Sequence, residues 1–345
     1  MQSVGAEYEI LLTAGTICAR DPTDTDNRST HAAALMAKRH ANNKDKTMTP
    51  SPNRRTLLIA GGLSTLLGGC ALVRERKDNS AEIRQKLTEL EKQSGGRLGL
   101  MAIDNAGGAS SDRIGYRETE RFPFCSTFKI VLVGAILNRS LEDGTLLQRR
   151  VRYGAGDLVP YSPVTEKAVG AGMSVSGLCA AALQYSDNTA GNLLIRELGG
   201  IKMVNEYARK IGDQSFRLDR METELNSAVP GDERDTTTPL AMAQTVQGLT
   251  LGEALPELQR RMLVDWMRGN TTGGTRIRSA MPRDWLVGDK TGGGDYGTTN
   301  DVAVIWPGSE SPVVLSIYFT QTAKDAPMRN DVVAAAARIV AEHFI

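Results

Sequence analysis

From Asp78 the chain reads DNSAEIRQKLTELEKQSGG, with apolar residues at helical spacing, an Asn-Ser start and a double-glycine stop, which predicts a helix. RLGLMAIDNAGG and RIGYRETERF then alternate apolar and polar positions about a Gly/Ser/Asp turn and predict a hairpin. From Ser126 to about Gly269 the period becomes helical, with segments near 126–139, 174–183, 188–197, 201–211, 239–249 and 256–268. Alternation returns in WLVGDKTGG, TTNDVAVIWP and PVVLSIYFTQ, and MRNDVVAAAARIVAEHFI closes the chain as a helix. This order predicts an α+β fold of two lobes. A five-stranded antiparallel sheet flanked by the N- and C-terminal helices forms one lobe, discontinuous over 78–124 and 269–345. An all-helical lobe over 125–268 forms the other. Clefts between such lobes are where ligand sites tend to lie, so the active site is expected there.

The segment before Asp78 follows a different pattern. From Met48 it reads MTPSPNRRTLLIAGGLSTLLGGC: a positive Arg54-Arg55 pair, then an apolar run from Thr56 to Gly69. That run is too short to span a bilayer but suits a signal peptide over 48–70. Leu67-Gly68-Gly69-Cys70 resembles a lipobox, which predicts lipidation at Cys70, and the arginine pair resembles a twin-arginine signal. Residues 1–47 are polar and aperiodic. They read as a non-structural leader upstream of a true start at Met48. The expected location is therefore the periplasm, with a lipid anchor on Cys70 as the only membrane contact.

Composition narrows the chemistry. The chain has 345 residues, 41% hydrophobic and 23% charged, with a net charge of +1. That balance gives no reason to expect a nucleic-acid partner. Of three histidines, His31 and His40 fall in the leader and His343 lies at the far end. A Ser-His-Asp triad or a His-ligated metal needs histidine inside the folded body, so neither is expected. No metal or cofactor is expected, and catalysis must rest on Ser, Lys, Glu, Asp, Arg or Tyr.

Within RFPFCSTFKIVLVG, Lys129 interrupts an apolar run three residues after Ser126. On a helix, positions i and i+3 share a face. Pro123 upstream suits a helix start, which would put Ser126 at the N-terminus, where backbone N–H groups lack internal partners. The macrodipole and apolar neighbours disfavour a charged Lys129, and a serine beside an amine that sheds its proton is a nucleophile activated without histidine. Alone, so short a pattern reads first as a snorkelling lysine beside a capping serine. Ser186-Asp187-Asn188 alone reads as a helix cap, and Lys290-Thr291-Gly292 alone as a strand edge.

In this order, S-x-x-K, S-D-N and K-T-G are the set that marks class A β-lactamases and penicillin-binding proteins. The chain from about Ser80 to Ile345 resembles that penicillin-recognising serine acyl-transferase superfamily. The stretch RMETELNSAVPGDERDTTTP resembles the class A Ω-loop, here 220–235, and singles out the β-lactamase branch. The resemblance implies hydrolysis of the β-lactam amide of penicillins and cephalosporins through a serine acyl-enzyme, conferring resistance. The alternatives are a D-alanyl-D-alanine peptidase, or a penicillin sensor that acylates without fast release. A sensor needs a membrane-spanning segment, and no 18-residue apolar run is present.

The resemblance also implies residue roles. Ser126 attacks; its own N–H and that of Gly293 form the oxyanion hole. Lys129 and Glu222 share the base role, with Glu222 and Asn226 holding the deacylating water. Ser186 passes a proton to the leaving nitrogen, and Asn188 binds the side-chain amide. Lys290 and Thr291 hold the substrate carboxylate, Gly292 beside them belongs to the substrate site, and Tyr161 walls the cleft. Arg220 and Asp235 form the ion pair that closes the Ω-loop. Where many relatives carry an arginine on the strand after K-T-G, this chain has Thr299, and Arg276 matches an alternative source of that charge. Cys179 matches half of a disulfide whose partner position is Val133, and Cys125 half of one whose partner position is Gly294. Two free thiols are therefore expected and carbapenemase activity is not implied, in a monomer whose partner is a small β-lactam.

Overall fold

The structure, a computed structural model, describes residues 79–106, 112–308 and 310–344; the leader 1–47, the signal segment 48–70 and Cys70 lie outside them. Helix α1 (Ser80–Ser94) buries Ile83 and Leu87 along one stripe and stops at Gly95, whose left-handed φ of 68° suits glycine. It leads into β1 (Arg97–Asp104) and β2 (Arg113–Tyr116), the expected hairpin. The two-residue β3 (Phe122–Pro123) follows.

The middle of the chain is mainly helical, with α2 (Lys129–Arg139), α3 (Val175–Gln184), α4 (Asn188–Leu198), α5 (Ile201–Lys210), α6 (Pro239–Thr250) and α7 (Glu257–Arg268). Short ribbons interleave with them: β4 (Arg150–Val151) pairs with β5 (Met173–Ser174), and β6 (Thr236–Thr237) pairs back to β3. Local chemistry sets several starts: the Ser174, Asp187 and Thr238 side chains cap α3, α4 and α6, and Pro239 occupies the first turn of α6. The short α8 (Ile277–Ala280) precedes β7 (Leu286–Gly294), β8 (Thr298–Trp306), β9 (Val313–Thr320) and the closing α9 (Asn330–Phe344).

The five long strands form one antiparallel sheet in the order β2-β1-β9-β8-β7, so its strands come from both ends of the chain, as expected. Both faces are covered. Leu315, Ile317 and Phe319 join Leu87, Leu98 and Val333 in one core, whereas Val314 and Tyr318 join Met101, Val246 and the helical block in the other. Alternation along β9 therefore sorts residues between two cores rather than between core and water.

One local expectation is corrected. The predicted helix over 126–139 begins as a 3-10 turn, Cys125–Phe128, and α2 proper starts at Lys129. Cys125 has φ 46°, so the chain turns sharply just before Ser126 instead of winding straight into a helix.

Candidate active site

Lys129 is wholly buried and surrounded by oxygen. Its Nζ donates to Ser126 Oγ at 3.0 Å, Ser186 O at 2.9 Å and Asn188 Oδ1 at 2.7 Å, and stands 2.9 Å from Glu222 Oε1. Those partners offset the desolvation that an amine in an apolar helix would otherwise suffer. Ser126 Oγ also donates to Glu222 Oε1 at 3.3 Å, so the hydroxyl stands between an amine and a carboxylate.

The Ω-loop carries Glu222 to this point. Asn192 on α4 clamps its backbone: Glu222 N–H donates to Asn192 Oδ1 at 2.9 Å and Asn192 Nδ2 to Glu222 O at 2.8 Å. Asn226 Nδ2 donates to Glu222 Oε2 at 2.6 Å, while Asn226 Oδ1 is buried without a protein partner and leaves an acceptor beside the carboxylate. At the loop's root, the buried Asp235 takes Arg220 Nε at 2.5 Å and the N–H groups of Asp219 and Arg220 at 2.7 and 3.0 Å. The expected ion pair is present and nearly dry, with Arg220 also donating to Ser227 Oγ at 2.9 Å.

The three motifs converge. Ser186 and Asn188 flank Asp187, whose carboxylate accepts from Ala190, Val164 and Thr165 and is a structural cap. Ser186 itself is held at φ 58°, a conformation costing about 1–3 kcal/mol that persists at functional sites. Its hydroxyl accepts from Lys290 Nζ at 2.9 Å, and Lys290 also donates to Thr291 O at 2.8 Å. Lys290 lies wholly beneath the cleft surface, on β7. Burial, then the nearby Lys129 charge, pull it well below an ordinary lysine, while Asp289 and Asp301 act the other way.

These groups border an open cleft of about 440 Å³. Ser126, Tyr161, Ser186 and Asn188 form the helical side, Asn226 the Ω-loop side, and Thr291 to Gly294 the strand side. A Cβ on Gly292 would come within 2.8 Å of Phe124 O, so its absence lets β7 run against the turn that carries Ser126. Tyr161 walls the cleft at φ 63°, half-exposed or more. Both ends of the Asn188 amide are engaged, by Lys129 and by Pro160 O. A hollow of about 490 Å³ lies elsewhere, between Gly95–Arg97 and the outer half of the Ω-loop, and contains none of these side chains. Volume alone does not find the chemistry.

Arg276 is not a surface arginine. It is 7% exposed, with Nε donating to Asn330 Oδ1 and Nη1 to the carbonyls of Gly292 and Asn300. Burial lowers its pKa and the Asp301 carboxylate opposes that. Cys125 and Cys179 are both buried and free, as expected. Motif reading missed Asn192, Thr272 and Met328. Thr272 Oγ1 lies 2.5 Å from Thr291 Oγ1 in the strand wall, and Met328 also lines the cleft. None of these three has a local sequence signal; each acts across more than fifteen residues of chain.

Residues 82–344 match a family described as the β-lactamase enzyme family. The chain is 52% identical over 295 residues to β-lactamase OXY-2 of Klebsiella oxytoca, covering 86% of this chain and 99% of that protein. It is likewise 52% identical over 297 residues to β-lactamase CTX-M-97 of Escherichia coli, covering 86% and 100%. Among solved structures, a β-lactamase from Desulfarculus baarsii DSM 2075 superposes with a TM-score of 0.75 at 52% identity, covering 77% of this chain and 98% of that one.

Proposed function

Because this chain belongs to the β-lactamase enzyme family, in class A, and hydrolyses β-lactams so as to confer resistance to them, we propose that it works through a Ser126 acyl-enzyme released by a water that Glu222 activates. One observation carries this reading: Ser126 Oγ stands 3.0 Å from Lys129 Nζ and 3.3 Å from Glu222 Oε1. In acylation the Oγ proton passes to this Lys129–Glu222 pair as Oγ bonds to the lactam carbonyl carbon. Negative charge builds on the carbonyl oxygen against the N–H groups of Ser126 and Gly293. The C–N bond then breaks as the Lys129–Glu222 pair returns that proton, relayed through Ser186, to the departing nitrogen. This leaves Glu222 ionised for the next step, with Lys290 supplying positive potential behind the Ser186 hydroxyl. In deacylation Glu222 takes a proton from water, the hydroxide attacks the ester carbon, and Ser126 leaves with a proton.

Asn226 supports the second half. It fixes one carboxylate oxygen of Glu222 and offers its own carbonyl to the same water. A peptidase or sensor that stays acylated would leave this arrangement without a task. Thr291 and Arg276 take the substrate carboxylate, and Tyr161 and Asn188 the acyl side chain. A chromogenic cephalosporin assay run beside intact mass after penicillin tests the proposal. Fast colour with no lasting adduct is expected; a stable adduct without turnover would overturn it.

We further propose that the enzyme is exported to the periplasm, is lipidated at Cys70 and acts as a monomer, since one chain supplies every group named above. Palmitate labelling of expressing cells should mark the parent and not Cys70→Ser, and light scattering of the soluble body should give one chain. Equal labelling of both proteins, or a dimer mass, would contradict this.

A further inference from the structure

One wall of the cleft has no task in the chemistry above. Met328 sits in the turn 321–329 between β9 and α9, is 54% exposed, and lines the cleft beside Arg276. Its Sδ lies 3.6 Å from Arg276 Nη2 and would lie 2.9 Å from a Cβ on Gly293, so it rests over both the guanidinium and the oxyanion strand. Arg276 Nε is satisfied by Asn330 Oδ1 at 2.8 Å, and Nη1 by Gly292 O and Asn300 O at 2.7 and 2.6 Å. Nη2 ends on a thioether, a weak acceptor. The one edge of Arg276 still able to bond a carboxylate is thus the edge that Met328 covers.

The backbone on either side of Met328 is fixed. Gln321 Nε2 donates to Pro327 O at 2.8 Å, and Arg329 N–H donates to Thr299 Oγ1 at 2.9 Å. The turn need not move for the cover to open. An unbranched, half-exposed methionine side chain can change rotamer where the loop cannot change shape.

We propose that Met328 is a specificity-determining gate over Arg276. A β-lactam reaches the Nη2 edge only after the thioether swings aside. Substrates with a large group next to their carboxylate must share that space and are admitted less readily than those with a small one. This inference rests on the reading that β-lactams bind in this cleft.

The test compares kcat/KM for nitrocefin, whose bulky group adjoins the carboxylate, with benzylpenicillin, whose neighbouring groups are methyls. Met328→Ala should raise the nitrocefin value about threefold or more and move the penicillin value less, shifting the ratio. Met328→Leu, which keeps the bulk, should leave the ratio within about 1.5-fold of the parent. In an Arg276→Ala background, Met328→Ala should no longer shift it. An unchanged ratio in Met328→Ala, a Leu variant behaving like Ala, or the same shift without Arg276 would each overturn the gate. A parent protein that fails to turn over nitrocefin at all would instead refute the hydrolase reading.

Discussion

Lys290 has its charge where solvent cannot support it. Burial and the Lys129 charge pull its pKa well below the usual amine range, so its proton leaves at lower pH than from an exposed lysine. We expect kcat/KM to fall on the alkaline side as that happens. Lys290→Arg, which keeps its proton, should move this limb to higher pH while lowering the plateau about tenfold or more, because a planar fork does not reproduce the single Ser186 contact. A pH profile of kcat/KM checks this, and an unmoved limb would contradict it. The sign for stability is opposite. Between the folded value and that of a free amine the unfolded chain binds more protons, so this group makes stability rise with pH, and Lys290→Met should flatten that rise in denaturant titrations. At this scale Ser126, Lys129, Ser186 and Lys290 were legible only through the order of three motifs and the family that order resembles, since each motif alone also reads as a snorkelling lysine, a cap or a strand edge. The burial of Arg276 was not legible. Nothing in GGTRIRSA indicates that two strand carbonyls and Asn330 will surround it.

Elements position those residues, and the Ω-loop is the most exposed to failure. Asp235 is fully buried and ties Arg220 and two backbone N–H groups, and its carbonyl accepts from Phe124 N–H at 3.1 Å, two residues before Ser126. Asp235→Ala would strand a mostly buried guanidinium, and should destabilise the protein by about 3–5 kcal/mol. Deacylation should slow more than acylation, since Glu222 rides on this loop. Urea unfolding with burst kinetics measures both; a loss below about 1 kcal/mol with unchanged deacylation would show that the pair is dispensable. Helices and strands were readable from period and stop signals, as the double glycine that ends α1 at Gly95 illustrates. The 3-10 turn at Cys125–Phe128 was not, because its shape depends on β7 packing against it across more than 160 residues of chain.

At the scale of the molecule, a sheet built from both chain ends holds the helical block against β7, and the cleft runs along that seam. The five strands of the large sheet and its split along the chain followed from the order of alternating and helical segments, whereas the two-residue strands β3 to β6 are too short to carry a period. That both sheet faces would be buried followed only once the closing helix packed on one side and α6 on the other. No disulfide ties these parts among the described residues, and burial pushes both thiols up. Cys125 and Cys179 should therefore resist a thiol reagent in the native protein and react after unfolding, and a reductant should leave Tm unchanged. Rapid native labelling at either position would contradict this. If one serine is acylated and one loop carboxylate frees it, intact mass of Glu222→Ala mixed with benzylpenicillin will separate the two events. The variant should gain one penicillin on Ser126 and keep it, with turnover lowered about 10²–10⁴-fold, while the parent returns to its unmodified mass. A variant that turns over penicillin at the parental rate with no adduct would contradict it.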